Sequence, residues 1–140
     1  MAEYVAANLH VNLARAEECN DLQLALREAF LSTNQRYFIM QEETEAFDGA
    51  GATAVLAVLQ REFLTVAWAG DSEAVLFRSD GSFVACCPPH KPNQVRERTR
   101  IEDNGGQVVE RNGVWRINGQ LAVARAFGDY KVKKNTGKKE

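Results

Sequence analysis

The fold is decided by two stretches of sequence, WAGDSEAVL at residues 68–76 and VWRINGQLAVARAFGD at residues 114–129. In each, apolar residues typical of strands flank a short polar turn that contains glycine, GDS at 70–72 and NG at 118–119. Strand-like runs separated by such turns predict antiparallel strands joined by tight connections.

The same pattern extends outward from both stretches. The apolar run 52–59 and the run 63–69 are separated by QRE, which predicts an antiparallel hairpin with Trp68 as a core anchor. Further hairpin turns are predicted at Asp80-Gly81, between 74–77 and 82–86, and at Asn112-Gly113, between 108–109 and 114–117. Asn118-Gly119 is expected to turn the last of these strands back toward 121–123.

Helices are predicted before the first strand and again in the middle of the chain. Residues 3–18 have the spacing of an amphipathic helix, whose apolar face is expected to contain Tyr4, Ala7, Val11 and Ala14. A second helix is expected to begin at Asn20, which forms a capping-box pattern with Gln23, and to continue to Met40. A third, at 93–104, should turn Val95 and Ile101 inward and end at Gly105-Gly106. Helices first and hairpins later predict an α+β domain.

Composition narrows the class of protein. A chain with 45% apolar and 26% charged residues is ordered, and a net charge of −2 gives no basic face for nucleic acid. No apolar run is long enough to span a membrane and the N-terminus does not resemble a signal peptide, so we expect a cytoplasmic or nuclear protein. The odd cysteine number, Cys19, Cys86 and Cys87, indicates reduced thiols and gives no support for a redox role.

Some charged residues have both a functional and a structural interpretation. Asp71 follows a strand and can bind a metal ion or cap its own turn. Arg116 and Arg125 can bind phosphate, or can pair with Glu97 or Asp129.

Other candidates are expected to be structural. His10 lies within the first predicted helix, and Glu42, Glu43 and Glu45 form a run rather than a convergent set, which indicates a solvated surface. The segment 48–51, DGAG, contains no histidine and is rejected as a metal motif.

Several motifs in order along the chain resemble the metal-dependent protein serine/threonine phosphatases of type 2C. They are AGATA at 50–54, the GDS strand pair at 68–76, HKP at 90–92, E-x-x-R-I at 97–101, GG at 105–106, and NGQLAVARAFGD at 118–129. Three residues depart from that family's pattern: Ala124 stands for Ser, Glu73 for Arg and Pro89 for Asp.

The resemblance implies hydrolysis of phosphoserine or phosphothreonine in proteins, with Mg²⁺ or Mn²⁺ held by aspartates and activating a water molecule. It assigns Asp71 to an accessory metal position and makes His90 a candidate for substrate or phosphate contact, as guanidinium chemistry does for Arg116. The family's central Asp-Gly-His-Gly-Gly motif would precede Met1 and its later metal aspartates would follow Glu140, so no catalytic residue is assigned here. We therefore expect a fragment or isoform with little or no activity, or alternatively a noncatalytic binding or regulatory module.

The resemblance also implies a truncated, partial αββα sandwich in one domain, 1–140. Its helices are expected at about 3–41, its strands and a flap-like region at about 52–129, and a solvated basic tail at about 130–140. The expected partners are a phosphoprotein substrate or another protein, with a homo-oligomer possible through exposed sheet edges.

Overall fold

The computed structural model describes residues 1–16, 21–45 and 49–134. Cys19, Asn20, Asp48 and the tail after Lys134 lie outside the described residues. The chain divides into two compact units: Met1–Ala52 with Phe127–Tyr130, and Thr53–Ala126 with Lys131–Glu140.

The first unit consists of two helices and a short strand pair. Helix α1 spans Ala2–Arg15 and α2 spans Leu22–Thr44. Strand β1, Gly51–Ala52, pairs antiparallel with the strand Phe127–Gly128, which is the eighth in the chain and is called β8. Phe127 is buried and packs against the ring of Phe30.

The buried face of α1 differs from the predicted one. Val5, Leu9 and Asn12 are buried, whereas Ala7 and Val11 of the predicted apolar face are exposed. The reason is a buried polar pair, in which the Asn12 amide donates to Thr33 Oγ1 of α2 at 2.8 Å. A buried polar group that is hydrogen-bonded can occupy a core position, which counting apolar residues alone does not reveal.

The start of α2 also differs by one residue. Asp21 is the N-cap, and its Oδ1 accepts hydrogen bonds from the backbone N–H groups of Gln23 and Leu24. The carboxylate accepts hydrogen bonds from two backbone N–H groups that have no partner within the helix. Its negative charge is also stabilised by the positive N-terminal end of the helix dipole.

The second unit contains three hairpins and a helix. Strand β2 (Ala54–Gln60) pairs with β3 (Phe63–Ala69), β4 (Val75–Phe77) with β5 (Phe83–Ala85), and β6 (Val108–Arg111) with β7 (Val114–Ile117). Helix α3 spans Val95–Asp103, and a short helix α4, Tyr130–Lys134, follows β8. The predicted hairpins and the α+β class are thus confirmed; the strands of the described residues form four antiparallel pairs.

The core of the second unit lies between α3 and the β6–β7 hairpin. Ile101, Val108, Ile117 and Ala124 are buried together, and Trp115, Leu121 and Val132 pack against them. The end of α3 agrees with the prediction, because Gly105 has φ +81° and the Gly106 N–H donates to the Ile101 carbonyl at 2.9 Å.

Two further predictions in this unit are wrong. Val95 is 81% exposed, because it is the first residue of α3 and does not share the buried face of that helix, which contains Glu97 and Ile101. Trp68 is only half-buried. The Asn118-Gly119 turn brings the chain back as predicted, and the pairing that follows it is a single antiparallel bridge between Ile117 and Leu121.

Candidate functional site

The Gly70-Asp71-Ser72 turn ends strand β3 in a tightly fitted conformation. Gly70 has φ +111°, and a side chain there would collide with Thr53. The hydroxyls of Thr53 and Ser72 are 2.6 Å apart and share a hydrogen bond. Only glycine satisfies both the backbone angle and the close approach of Thr53, so the position of Asp71 is determined by its neighbours on both sides.

A second loop, residues 86–92, is hydrogen-bonded to this turn through His90. The His90 N–H donates to the Gly70 carbonyl at 2.9 Å, and the Gly70 N–H donates back to His90 Nδ1 at 3.2 Å. The imidazole stacks on Trp68, with ring centroids 5.6 Å apart and an interplanar angle of 15°. Trp68 in turn donates from Nε1 to the Pro88 carbonyl at 3.0 Å. Trp68 therefore joins the two loops rather than anchoring a closed core.

The surroundings of His90 favour its neutral form. Burial lowers the pKa of His90, the nearby Arg125 guanidinium lowers it further, and the Glu97 carboxylate acts in the opposite direction. Because Nδ1 accepts the Gly70 N–H, the neutral ring carries its proton on Nε2. The hydrogen bonds of His90 are made with backbone groups of its neighbours, so His90 connects the two loops.

Asp71 forms an ion pair with Lys91 of the loop 86–92, between Oδ2 and Nζ. The side chains are 31% and 44% exposed, so the pair lies at the surface of the second unit. The structure thus brings Asp71 and His90 into one site and adds Lys91, which belongs to the HKP motif but was not predicted as a site residue.

Glu97 is the hub of a second polar cluster. It is buried on α3 and accepts from Arg100 at 2.8 Å and from Arg125 at 2.8 Å. Burial alone would raise the pKa of Glu97, but the hydrogen bonds from the two guanidinium groups outweigh it and the pKa is lowered. The structural interpretation of Arg125 as a partner of Glu97 is confirmed.

The Glu97 cluster connects to the loop of His90 through one backbone position. Arg100 Nη2 donates to the Ala124 carbonyl at 2.6 Å, and the Ala124 N–H donates to the His90 carbonyl at 2.8 Å. Helix α3 therefore supports the loop that carries His90 and Lys91. The sequence signal for this support was the E-x-x-R spacing, which places two side chains on one helix face.

Arg116 lies apart from these groups. Its guanidinium donates to the Gln120 carbonyl at 2.7 Å, across the turn that follows β7. No hydrogen bond or ion pair within residues 1–16, 21–45 and 49–134 joins Arg116 to Asp71 or His90. Its assignment to phosphate contact stays a prediction.

The remaining candidates have structural surroundings. His10 is exposed on α1, with Nδ1 3.1 Å from the Ala6 carbonyl oxygen. Glu42, Glu43 and Glu45 are exposed at the end of α2, where Glu42 accepts from the Tyr130 hydroxyl at 3.0 Å.

The described residues do not fit a divalent metal site. Across the described ranges, no three His, Cys, Asp or Glu side chains lie together in a way that could hold an ion. Mg²⁺ and similar ions take several oxygen ligands, and the Asp71 turn offers one carboxylate, which an ammonium already neutralises. In the same ranges, no helix combines the length and apolar character needed to cross a membrane.

Comparison with known proteins identifies relatives over nearly the whole chain. The family "Protein phosphatase 2C" matches residues 1–139. "Probable protein phosphatase 2C 59" of Arabidopsis thaliana is 44% identical over 133 residues, which are 94% of this chain and 42% of that protein. Human "Protein phosphatase 1F" is 42% identical over 129 residues, which are 91% of this chain and 28% of that protein.

Solved structures agree with this result. A sex determining protein of C. elegans superposes with a TM-score of 0.79 at 28% identity, over 91% of this chain and 32% of that one. A phosphatase from Toxoplasma gondii superposes with a TM-score of 0.70 at 24% identity, over 97% of this chain and 54% of that one, which shows a shared fold. The chain therefore spans less than half of the two sequence relatives named above.

Proposed function

This chain belongs to the protein phosphatase 2C family, and on that premise we propose that it is part of a metal-dependent protein serine/threonine phosphatase with little or no activity by itself. The observation that carries the proposal is the state of Asp71, whose carboxylate is paired with Lys91 and belongs to no group of three possible metal ligands among the described residues. Metal-activated hydrolysis needs several converging ligands.

The proposal includes Mg²⁺ or Mn²⁺ as the cofactor of the complete enzyme and phosphoserine or phosphothreonine in proteins as its substrate. When bound, such ions supply an activated water molecule and neutralise charge on the phosphoryl group. It also includes a cytoplasmic or nuclear location. The residues of this chain would then contribute the turn that presents Asp71 and the loop that supports it.

The test is an assay of phosphothreonine-peptide hydrolysis with and without Mn²⁺. We expect no manganese-dependent rate above background for this chain, and a measurable rate when it is extended on both sides with the flanking segments of the Arabidopsis relative. Asp71→Asn in the extended protein controls for the contribution of the turn. A clear manganese-dependent rate for the chain alone that disappears in Asp71→Ala would contradict the proposal.

A noncatalytic binding module is the second candidate, and one observation favours it. Both strands of the β4–β5 hairpin are apolar, yet Phe77 and Phe83 are 73% and 66% exposed. Exposed apolar surface of this kind is typical of contact sites for other proteins. Metal-independent binding to a complete phosphatase 2C, measured in EDTA, would favour this function, and activity restored by extension would favour the first.

A further inference from the structure

Asp71 and Lys91 meet because of the backbone register between their loops. Gly70 and His90 exchange two hydrogen bonds, one from each N–H group. Asp71 follows Gly70 and Lys91 follows His90, so the two residues lie close together although twenty positions separate them in the sequence. Their ion pair is the direct result.

Lys91 is restrained more strongly than an ordinary surface lysine. Its N–H donates to the Pro89 carbonyl at 3.1 Å, and Pro92, the next residue, is among the most buried side chains of the chain. The His90–Trp68 stack fixes the loop from the other side. This anchored backbone places the Lys91 side chain within reach of the Asp71 carboxylate, where the two form their ion pair.

We propose that Lys91 is an intramolecular counter-ion of Asp71 and that its charge prevents divalent cations from binding to the Asp71 carboxylate. The ammonium contacts Oδ2 of Asp71 and compensates the negative charge of that carboxylate. Lys91 has this effect whether or not the chain takes part in catalysis, so failure of the proposed function would leave it unaffected.

The size of the effect follows from charge repulsion. A divalent ion bound to Asp71 would lie about 4 Å from the ammonium, and at aqueous dielectric the repulsion lowers affinity by about ten-fold or more. Removal of the Lys91 charge leaves a free carboxylate next to a rigid turn. Such a site binds Mn²⁺ weakly but measurably, because a carboxylate oxygen is a ligand that this ion accepts.

Mn²⁺ titration followed by NMR tests the proposal, because this paramagnetic ion broadens the amide signals nearest to it even when binding is weak. In the natural chain we expect Gly70 and Ser72 to broaden no more than other exposed residues. In Lys91→Met we expect them to broaden at about ten-fold lower Mn²⁺ concentration. Lys91→Arg, which retains the charge, should behave like the natural chain.

Two controls separate this effect from general changes in charge. Lys131→Met removes an exposed lysine elsewhere and should leave Gly70 and Ser72 unchanged. Adding Asp71→Asn to Lys91→Met should abolish the new broadening. Selective broadening at Gly70 and Ser72 in the natural chain would overturn the proposal, and this result needs no variant. So would an unchanged titration in a folded Lys91→Met or, if that variant loses its dispersed spectrum, in Lys91→Gln.

Discussion

At the scale of single residues, the second unit is held together by a few ionisable side chains in well-defined surroundings. Glu97 is 5% exposed and is bound by two arginines, of which Arg100 also holds the Ala124 carbonyl. A buried carboxylate with this many donors contributes to stability only while all of its partners remain.

Glu97→Gln should lower the free energy of unfolding by about 2 kcal/mol, because both guanidinium groups lose their charged partner while their own partial exposure limits the cost. Urea unfolding at neutral pH measures this change. The matched control is Glu102→Gln, whose surface pair with Arg98 should be worth less than about 1 kcal/mol. Equal losses of unfolding free energy in the two variants would show that the buried cluster stabilises the chain no more than a surface ion pair does.

Acid should weaken the same cluster. The folded pKa of Glu97 lies below its ordinary value of 4.5, so its contribution is fully present above pH 4.5 and is lost as the pH falls through the lower, folded value. The difference in unfolding free energy between the natural chain and Glu97→Gln should therefore shrink on acidification. A constant difference would contradict this origin.

His90 should respond in a higher range of pH. Its folded pKa lies below the ordinary 6.5, so the unfolded chain binds more protons in that interval and stability falls as the pH drops through 6.5 toward the folded value. NMR titration of the ring measures the pKa directly, and the His10→Gln variant assigns the signal, since the chain has two histidines. A His90 pKa at or above 6.5 would show that burial and the Arg125 charge do not lower the pKa of this ring.

At the scale of elements, the caps and turns decide where helices and strands end. Asp21 accepts from two N–H groups at the start of α2. Asp21→Ala should destabilise the chain by about 1 kcal/mol, measured by thermal or urea unfolding, whereas Asp21→Asn, which retains an acceptor oxygen, should cost only a few tenths. A larger loss in the Asn variant than in the Ala variant would exclude capping as the cause.

Much of the element order could be predicted because its signals are local. Gly81, Asn112 and Gly113 adopt the positive φ angles that tight hairpins need, and the turns predicted at Asp80-Gly81 and Asn112-Gly113 both form. The family assignment, which was made from motifs, was also confirmed, because the order and spacing of those motifs can be read directly from the sequence.

What could not be predicted depends on contacts between distant residues. The Asn12–Thr33 pair reverses the expected face of α1, and the Gly70–His90 register creates the Asp71–Lys91 pair. No local pattern encodes either contact, because each exists only after two segments far apart in the sequence have met.

At the scale of the whole molecule, exposed apolar side chains on the hairpins of the second unit are the main source of expected association. Leu59 and Phe63, at the end of the β2–β3 hairpin, are 72% and 76% exposed, in addition to Phe77 and Phe83. A two-stranded hairpin gains little stability alone, and open strand edges favour pairing with a second chain.

We predict that the chain self-associates in a concentration-dependent manner, measured by sedimentation or light scattering. Phe77→Ser combined with Phe83→Ser should shift the equilibrium toward monomer. Val95→Ser is the matched control, since Val95 is 81% exposed on α3 outside these hairpins. A monomer at every concentration, or an equal effect of the control, would contradict the prediction.

The pairing of β1 with β8 has a consequence for the order of folding during synthesis. Ala52 and Phe127 are cross-strand neighbours, so residues 53–126 leave the first unit and return to it at adjacent points of one ladder. The ribosome therefore completes both long helices well before it delivers Phe127, a buried aromatic side chain of the same unit. Until then Phe30 lacks the ring that packs against it, so we expect the first unit to complete its packing only after Phe127 has been synthesised.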